Sequence, residues 1–141
     1  MDDPFNLQRF VDAQDSVYPQ VLDELRHGKK TSHWMWFVFP QIAGLGRSAT
    51  AQRYAISSVD EASAYLDHPV LAPRLVECVN ELLGVDERTA EQIFGSVDAL
   101  KLRSCLTLFL AVSGGEQLFE DALDKYYDGV PDLETLTAIR C

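Results

Sequence analysis

The stretch Lys-Lys-Thr-Ser-His-Trp-Met-Trp-Phe-Val-Phe-Pro-Gln-Ile-Ala-Gly-Leu-Gly-Arg-Ser, residues 29 to 48, decides the fold. Its middle, Trp34 to Phe39, is apolar on every side, and so short a run does not separate buried helix from buried strand by period. Aromatics and Val favour a strand locally. A lone strand, however, has no partner to take its hydrogen bonds, and every neighbouring segment reads as helix. The run is therefore expected to be a short buried helix ended by Pro40, which lacks the donor a helix needs. On such a helix His33 shares a face with Trp36 and Phe37, while Trp34 lines up with Val38 and Gln41.

Working outward, helical spacing recurs on both sides. Asn6 is placed to cap a first helix carrying Leu7, Phe10 and Val11. Pro19 opens a second with Val21, Leu22 and Leu25, and Gly28 suits a left-handed stop. After the central run, residues 40 to 49 read as a loop. Ser48 or Thr50 caps a short helix through Tyr54, and Ser58-Val59-Asp60-Glu61 reads as a capping box. Pro73 opens a longer helix that Gly84 ends. Asp86 caps a short one stopped by Gly95. Ser96 starts the longest, with Leu100, Leu106, Phe109 and Val112 among its buried positions. Gly114-Gly115 breaks it; two more helices follow, closed by Gly129 and opened by Pro131. No alternating run is long enough for a sheet. The expectation is a single all-α domain over residues 1–141, with about eight or nine mostly short helices.

At 141 residues, 47% of them hydrophobic, the chain has enough material for one core. No apolar run approaches the ~20 residues that cross a bilayer, so no membrane role is expected. The start, Met-Asp-Asp-Pro, is unlike a secretory signal. Cys78, Cys105 and Cys141 are odd in number and far apart, which is neither a disulfide framework nor zinc spacing. Cytoplasm is the expected compartment. The net charge of −10 argues against nucleic acid as a partner. That charge is uneven: from Leu25 to Val59 there is no Asp or Glu, while Arg26, Lys29, Lys30, Arg47 and Arg53 all fall there. Either a buried apolar stretch excludes acids, or the segment makes a local positive field for a small anion.

The polar residues offer several constellations. Gly44-Leu45-Gly46-Arg47-Ser48-Ala49 fits G-x-G-x-x-A, but a dinucleotide site needs a strand before it and an acid ending a second strand. What remains is a glycine loop that lets backbone approach a ligand, with Arg47 and Ser48 beside it, or a plain tight loop. His33 beside two tryptophans reads as a base, a stacking partner or a core histidine. His68 before Pro69 reads as a turn residue. The three histidines have no metal-ligand spacing. Asp98, Lys101 and Ser104 share a helix face; Lys101 either pairs with Asp98 at the surface or reaches into a pocket. The aromatics, Tyr54 included, either stack a planar ring or form core.

The run His33-Trp34-Met35-Trp36-Phe37-Val38-Phe39-Pro40-Gln41, followed by Gly44-Leu45-Gly46 and Ser48, resembles the signature of the bacterial family DUF1810. The resemblance continues through Tyr65-Leu66, His68-Pro69, Arg74-Leu75, Ile93-Phe94-Gly95, Asp98, Lys101-Leu102, Ser104 and Thr107-Leu108-Phe109. It departs at Ala72, where the family usually has Gly, and at Cys105, where it often has Met. It implies a mostly helical fold. It also implies that His33, Gln41, Ser48, His68, Arg74, Asp98 and Lys101 belong to a shared polar pattern, either a pocket or a buried network. It names no reaction and no cofactor. The label calpastatin, sometimes attached to the family, does not suit a short, core-rich chain.

The functional expectation is a small anionic, nucleotide-like ligand, bound or acted on near residues 33–54. Arg47, Lys29 or Lys30 would meet charge, Trp34 or Trp36 would stack, and Gln41 and Ser48 would hydrogen-bond. Tyr54, His68, Arg74, Asp98 and Lys101 complete the candidate set. The rivals are a protein–protein interaction module without a small ligand, and a hydrolase or transferase using His33 or His68.

Overall fold

The computed structural model describes residues 3–140. Among them run nine helices: α1 Gln8–Asp15, α2 Tyr18–Arg26, α3 Met35–Val38, α4 Ala49–Arg53, α5 Val59–Asp67, α6 Leu71–Leu83, α7 Ala90–Val112, α8 Gln117–Tyr127 and α9 Leu133–Ile139. The all-α expectation holds; within the 34–39 run Met35–Val38 form the short helix α3, so His33 and Gln41, expected on its faces, lie outside it. Extended pairing among the described residues is one isolated parallel bridge, Ile42 with Ile56. It closes the loop around α4 through Ala43 N–H to Ile56 O and Ile56 N–H to Gln41 O, each 2.8 Å.

The core is built around α7. From Leu102 to Phe109 only Arg103 is not fully buried, because α5, α8 and α9 all pack on this helix. A helix apolar on all sides is what such surroundings require. Gly95 interrupts α7 with φ 81 and ψ 164, a conformation open essentially to glycine alone. The helix therefore restarts at Ser96, as the sequence suggests. Leu100 was expected in the core but is 63% exposed. It lies beyond the edge of the packed face, on the side that looks toward α9 and the 41–48 loop.

Several helix ends differ from the expected caps. Asn6 does not cap α1; it is left-handed (φ 52), and Asp3 takes the Leu7 and Gln8 N–H groups at 2.7 and 3.0 Å. Those backbone bonds hold the Asp3 carboxyl below its ordinary range. Thr89, not Asp86, caps α7, in a reciprocal box with Gln92. Helix α6 begins at Leu71, ahead of Pro73. Ser48 and Ser58 cap α4 and α5 as expected, but the Ser58–Glu61 box does not close, because Glu61 Oε1 accepts from Ser57 N–H at 2.8 Å instead.

Candidate functional site

Two buried carboxylates fix the segments that frame the site. Glu24 on α2 is 6% exposed and receives five donors. Its Oε1 accepts from Thr31 N (2.8 Å), Ser32 N (3.1 Å) and Trp34 Nε1 (3.0 Å); its Oε2 accepts from Ser32 Oγ (2.5 Å) and Gln20 Nε2 (3.0 Å). Burial alone would raise this carboxyl, but the hydrogen bonds from Ser32, Thr31 and Trp34 outweigh it and hold it down at about 2. The second anchor is Glu61, paired with Arg9 at 2.8 Å. All five guanidinium N–H groups of Arg9 are spent, on Glu61 and on the carbonyls of Phe5, Asn6, Arg53 and Ala55.

With residues 28–34 held by Glu24, two ammonium–indole pairs form side by side. Lys30 Nζ lies 5.1 Å from the Trp34 ring and Lys101 Nζ lies 5.0 Å from the Trp36 ring. Asp98 joins them, at 2.9 Å from Lys30 and 3.3 Å from Lys101. The group carries two cations and one anion. Lys30 is its inner member, with a side chain only 8% exposed, whereas that of Lys101 is 21% exposed.

Lys101 opens onto a cleft of about 360 Å³ between the 41–48 loop, α7 and the start of α9, within the size range of small-molecule sites. Leu45, Val97 and Leu100 form its apolar wall; Gln41, Ser104, Asp132 and Glu134 supply the polar lining. Behind Lys101 lies a crevice lined by Trp36, Gln41 and Tyr54. It holds about 10 Å³, at the lower limit for one water, so no ring enters it. The Trp36 indole N–H and the Gln41 amide, both half-buried, hydrogen-bond to no described residue. A hollow of about 470 Å³ beside Arg9 is larger, but there the buried guanidinium has no donor left.

Of the expected site residues, Trp36, Gln41, Tyr54 and Lys101 line the cleft or the crevice, and Asp98 is paired with Lys101. The others do neither. Trp34 is 1% exposed and its N–H is given to Glu24, so it is core and no stacking platform. His33 is exposed and hydrogen-bonds to none of the described residues. His68 Nδ1 accepts from Val70 N and Leu71 N at 3.1 and 3.2 Å, so the ring serves the start of α6. Arg74 ties α6 to α1 through Asp15 (2.9 Å) and Gln14 (3.3 Å), and lies over Tyr18. Ser48 caps α4, with its hydroxyl taken by Ala51 N. Arg47 is exposed.

The cations of the acid-free stretch therefore do not converge. Arg26 pairs with Glu81 at 2.7 Å, Lys30 with Asp98, and Arg53 lies over Tyr54. The glycine loop has a structural purpose as well. A Cβ on Gly46 would meet Ala51 Cβ at 2.6 Å, and Gly44 has φ 98. Gly46 fits the loop to α4, and Gly44 supplies a left-handed turn in it. Sequence reasoning missed Val97, Leu100, Asp132 and Glu134 as lining. The signal was present, since Val97, Leu100, Lys101 and Ser104 fall at i, i+3, i+4 and i+7 on one helix face.

The family model described as "Protein of unknown function (DUF1810)" matches residues 4–139. The chain belongs to the DUF1810 family. Its fold matches the crystal structure of the conserved hypothetical protein Rv1873 from Mycobacterium tuberculosis, with TM-score 0.97, 51% identity and 99% of each chain covered. No curated protein matches the chain. For this DUF1810 protein, the polar pattern divides in two. His68, Arg74 and Ser48 serve helix ends and helix packing, while Gln41 and Lys101 line the cleft, Asp98 is paired with Lys101, and exposed His33 joins neither group.

Proposed function

We propose that this DUF1810 protein binds a small anionic ligand in the cleft between the 41–48 loop and α7, with the anionic group at Lys101. The observation that carries the reading is that Lys101 and the Gln41 side chain line both the cleft and the crevice behind it, the Gln41 side-chain amide hydrogen-bonding to no described residue. Asp98 is shared with Lys30, so the group keeps one positive charge in excess. Trp36 lines the closed crevice and not the cleft, so the ring of a nucleotide-like ligand would lie on the aliphatic wall of Leu45, Val97 and Leu100. A cytoplasmic setting belongs to this reading and is supported by the free, buried thiols of Cys78 and Cys105. Nucleic acid is not part of it, on the net charge of −10. No described helix is long and apolar enough to cross a membrane.

The test is a thermal-shift screen with phosphate, nucleoside mono- and diphosphates, and aliphatic carboxylates of four to eight carbons. A probe at ten times its Kd stabilises by about 1.4 kcal/mol, a rise of roughly 3–6 °C for a chain of this size. The expected result is such a rise in the native protein and none in Lys101→Met. No rise with any probe at millimolar concentration sinks the reading.

A protein partner on the same face is the second reading. It is favoured by the exposure of Val97 (66%) and Leu100 (63%) on the cleft wall. Photo-crosslinking from position 97 in cells, with and without Leu100→Asp, distinguishes it.

A further inference from the structure

Residues 44–52, which carry most of α4, are tied to the molecule only at their ends. Among the described residues, no hydrogen bond, ion pair or ring contact joins them to anything outside 44–55. Their bonds are internal: Ser48 Oγ accepts from Ala51 N (3.0 Å) and Gln52 Nε2 donates to Arg47 O (3.1 Å). No residue from 43 to 55 is buried, and within 44–52 only Leu45 packs against the core, half-buried. The flanks, by contrast, are fixed. Ala43 and Ile56 close the bridge at 2.8 Å, Arg9 donates to the carbonyls of Arg53 and Ala55 at 2.8 and 2.9 Å, and the Tyr54 ring meets Phe10 and Phe37. Each end can turn. Gly44 is left-handed at φ 98 with no atom within 4 Å of an added Cβ, and at the other end the Ala55 N–H reaches Gln52 O at 3.4 Å.

This loose segment covers something. Gly46 and Ala51 line the crevice together with the half-buried rings of Trp36 and Tyr54, and Leu45 and Gly46 line the cleft. Gln41, Gly46 and Lys101 line both, so Gly46 is the part of their partition that belongs to the loose segment. A surface segment with its ends close together and few ties to the core opens locally, at far less cost than unfolding the whole chain. We infer that residues 44–52 are a lid whose opening joins the crevice to the cleft in one pocket, which takes an aromatic anion with its ring at Trp36 and its charge at Lys101. This rests on the anion-binding reading above and adds the place of the ring. While the lid is closed, the crevice of about 10 Å³ admits no ring and only the aliphatic wall is open to one. With the lid open, the ring gains an aromatic partner. Lys101 Nζ lies 5.0 Å from the Trp36 ring, so one ligand of nucleotide size can meet both.

The experiment is amide hydrogen exchange and titration by NMR on the full chain, with adenosine monophosphate and ribose 5-phosphate as probes. In the free protein the Ala51 and Gln52 amides, both bonded to Ser48, should be at least about a hundredfold less protected than the Ala43 and Ile56 amides of the bridge. Adenosine monophosphate should bind at least about tenfold more tightly than ribose 5-phosphate and shift the Trp36 indole signal. It should also speed exchange at Ala51 and Gln52, because a ring at Trp36 selects the open lid and a five-residue helix lifted from its floor does not hold its own hydrogen bonds. Equal protection at the four amides overturns the lid. Equal affinity for the two probes, or binding that moves Val97 and Leu100 signals but not Trp36, overturns the joined pocket and leaves the anion reading standing. Binding of neither probe up to roughly 10 mM overturns the joined pocket, and the phosphate and carboxylate screen then judges the anion reading separately.

Discussion

Substitution of Glu24 by Gln tests the part of the molecule on which the cleft depends. With the amide oxygen in the place of Oε1, the three N–H donors from Thr31, Ser32 and Trp34 keep an acceptor. The amide nitrogen takes the place of Oε2, where Ser32 Oγ can turn to accept and Gln20 can flip its own amide. The contacts survive, and what is lost is their charge assistance. Hydrogen bonds to a charged group contribute about 1.5–3 kcal/mol against about 0.5–1.5 for neutral ones. A buried amide is also cheaper to desolvate than a carboxylate. The net expectation is a loss of about 2 kcal/mol at neutral pH. The pH dependence gives a sharper check. The folded carboxyl sits at about 2, below its ordinary 4.5, so the unfolded chain takes up the proton first. The stabilisation is complete above pH 4.5 and is lost as the pH falls toward 2. Gln does not titrate there. Urea-unfolding midpoints of the native and Glu24→Gln proteins should therefore differ by about 2 kcal/mol at pH ~6 and draw together by pH ~3. A gap that stays constant across that range refutes the claim that an ionised Glu24 holds residues 31–34.

Three further outcomes follow from local geometry. His68→Ala removes the acceptor of the Val70 and Leu71 N–H groups and should cost about 1 kcal/mol in urea unfolding, with His68→Asn recovering most of it, since Asn is a good cap. Gly95→Ala should cost about 1–3 kcal/mol in thermal unfolding through backbone strain alone, because φ is +81 and no atom lies within 4 Å of the added Cβ. Burial raises the Cys78 thiol to about 12 and the Cys105 thiol well above its ordinary value; in a Cys141→Ser background both should resist an aromatic disulfide reagent in the folded protein and react at once in denaturant.

Much of the fold was legible because the punctuation is local. Gly28, Gly95 and Gly114 act where they stand through a positive φ, and Ser48 and Ser58 through a side chain reaching three residues ahead. The strand-or-helix question at 34–39 was settled by the neighbours rather than the run itself. What did not show was the choice among equivalent caps. Asp3 and Asn6 are equally suited to start α1, and so are Asp86 and Thr89 to start α7. In the second case Gln92 decides, because only Thr89 stands three residues before a side chain that can bond back. Leu100 shows a related limit. Apolar identity suggests core, but the face of α7 it occupies is left uncovered by the packing of α5, α8 and α9, none of which is near in sequence.

The site was harder to read because charge along the chain is not charge in space. The acid-free segment from Leu25 to Val59 looks like a positive field, yet its acids are supplied from elsewhere: Glu81 to Arg26 and Asp98 to Lys30. Two of the five cations are thereby neutralised by carboxylates from other helices, so charge summed along the chain overstates the field in space. The informative cation was therefore the one outside the segment. Lys101 shares its carboxylate with a more deeply buried lysine and is left short of a full partner. In an ion group held by α7 and the 28–34 loop, the excess charge collects on the member nearest solvent, where the desolvation cost is least. That member is also the one that lines the cleft, which ties the electrostatics of the core to the place where a ligand would be met.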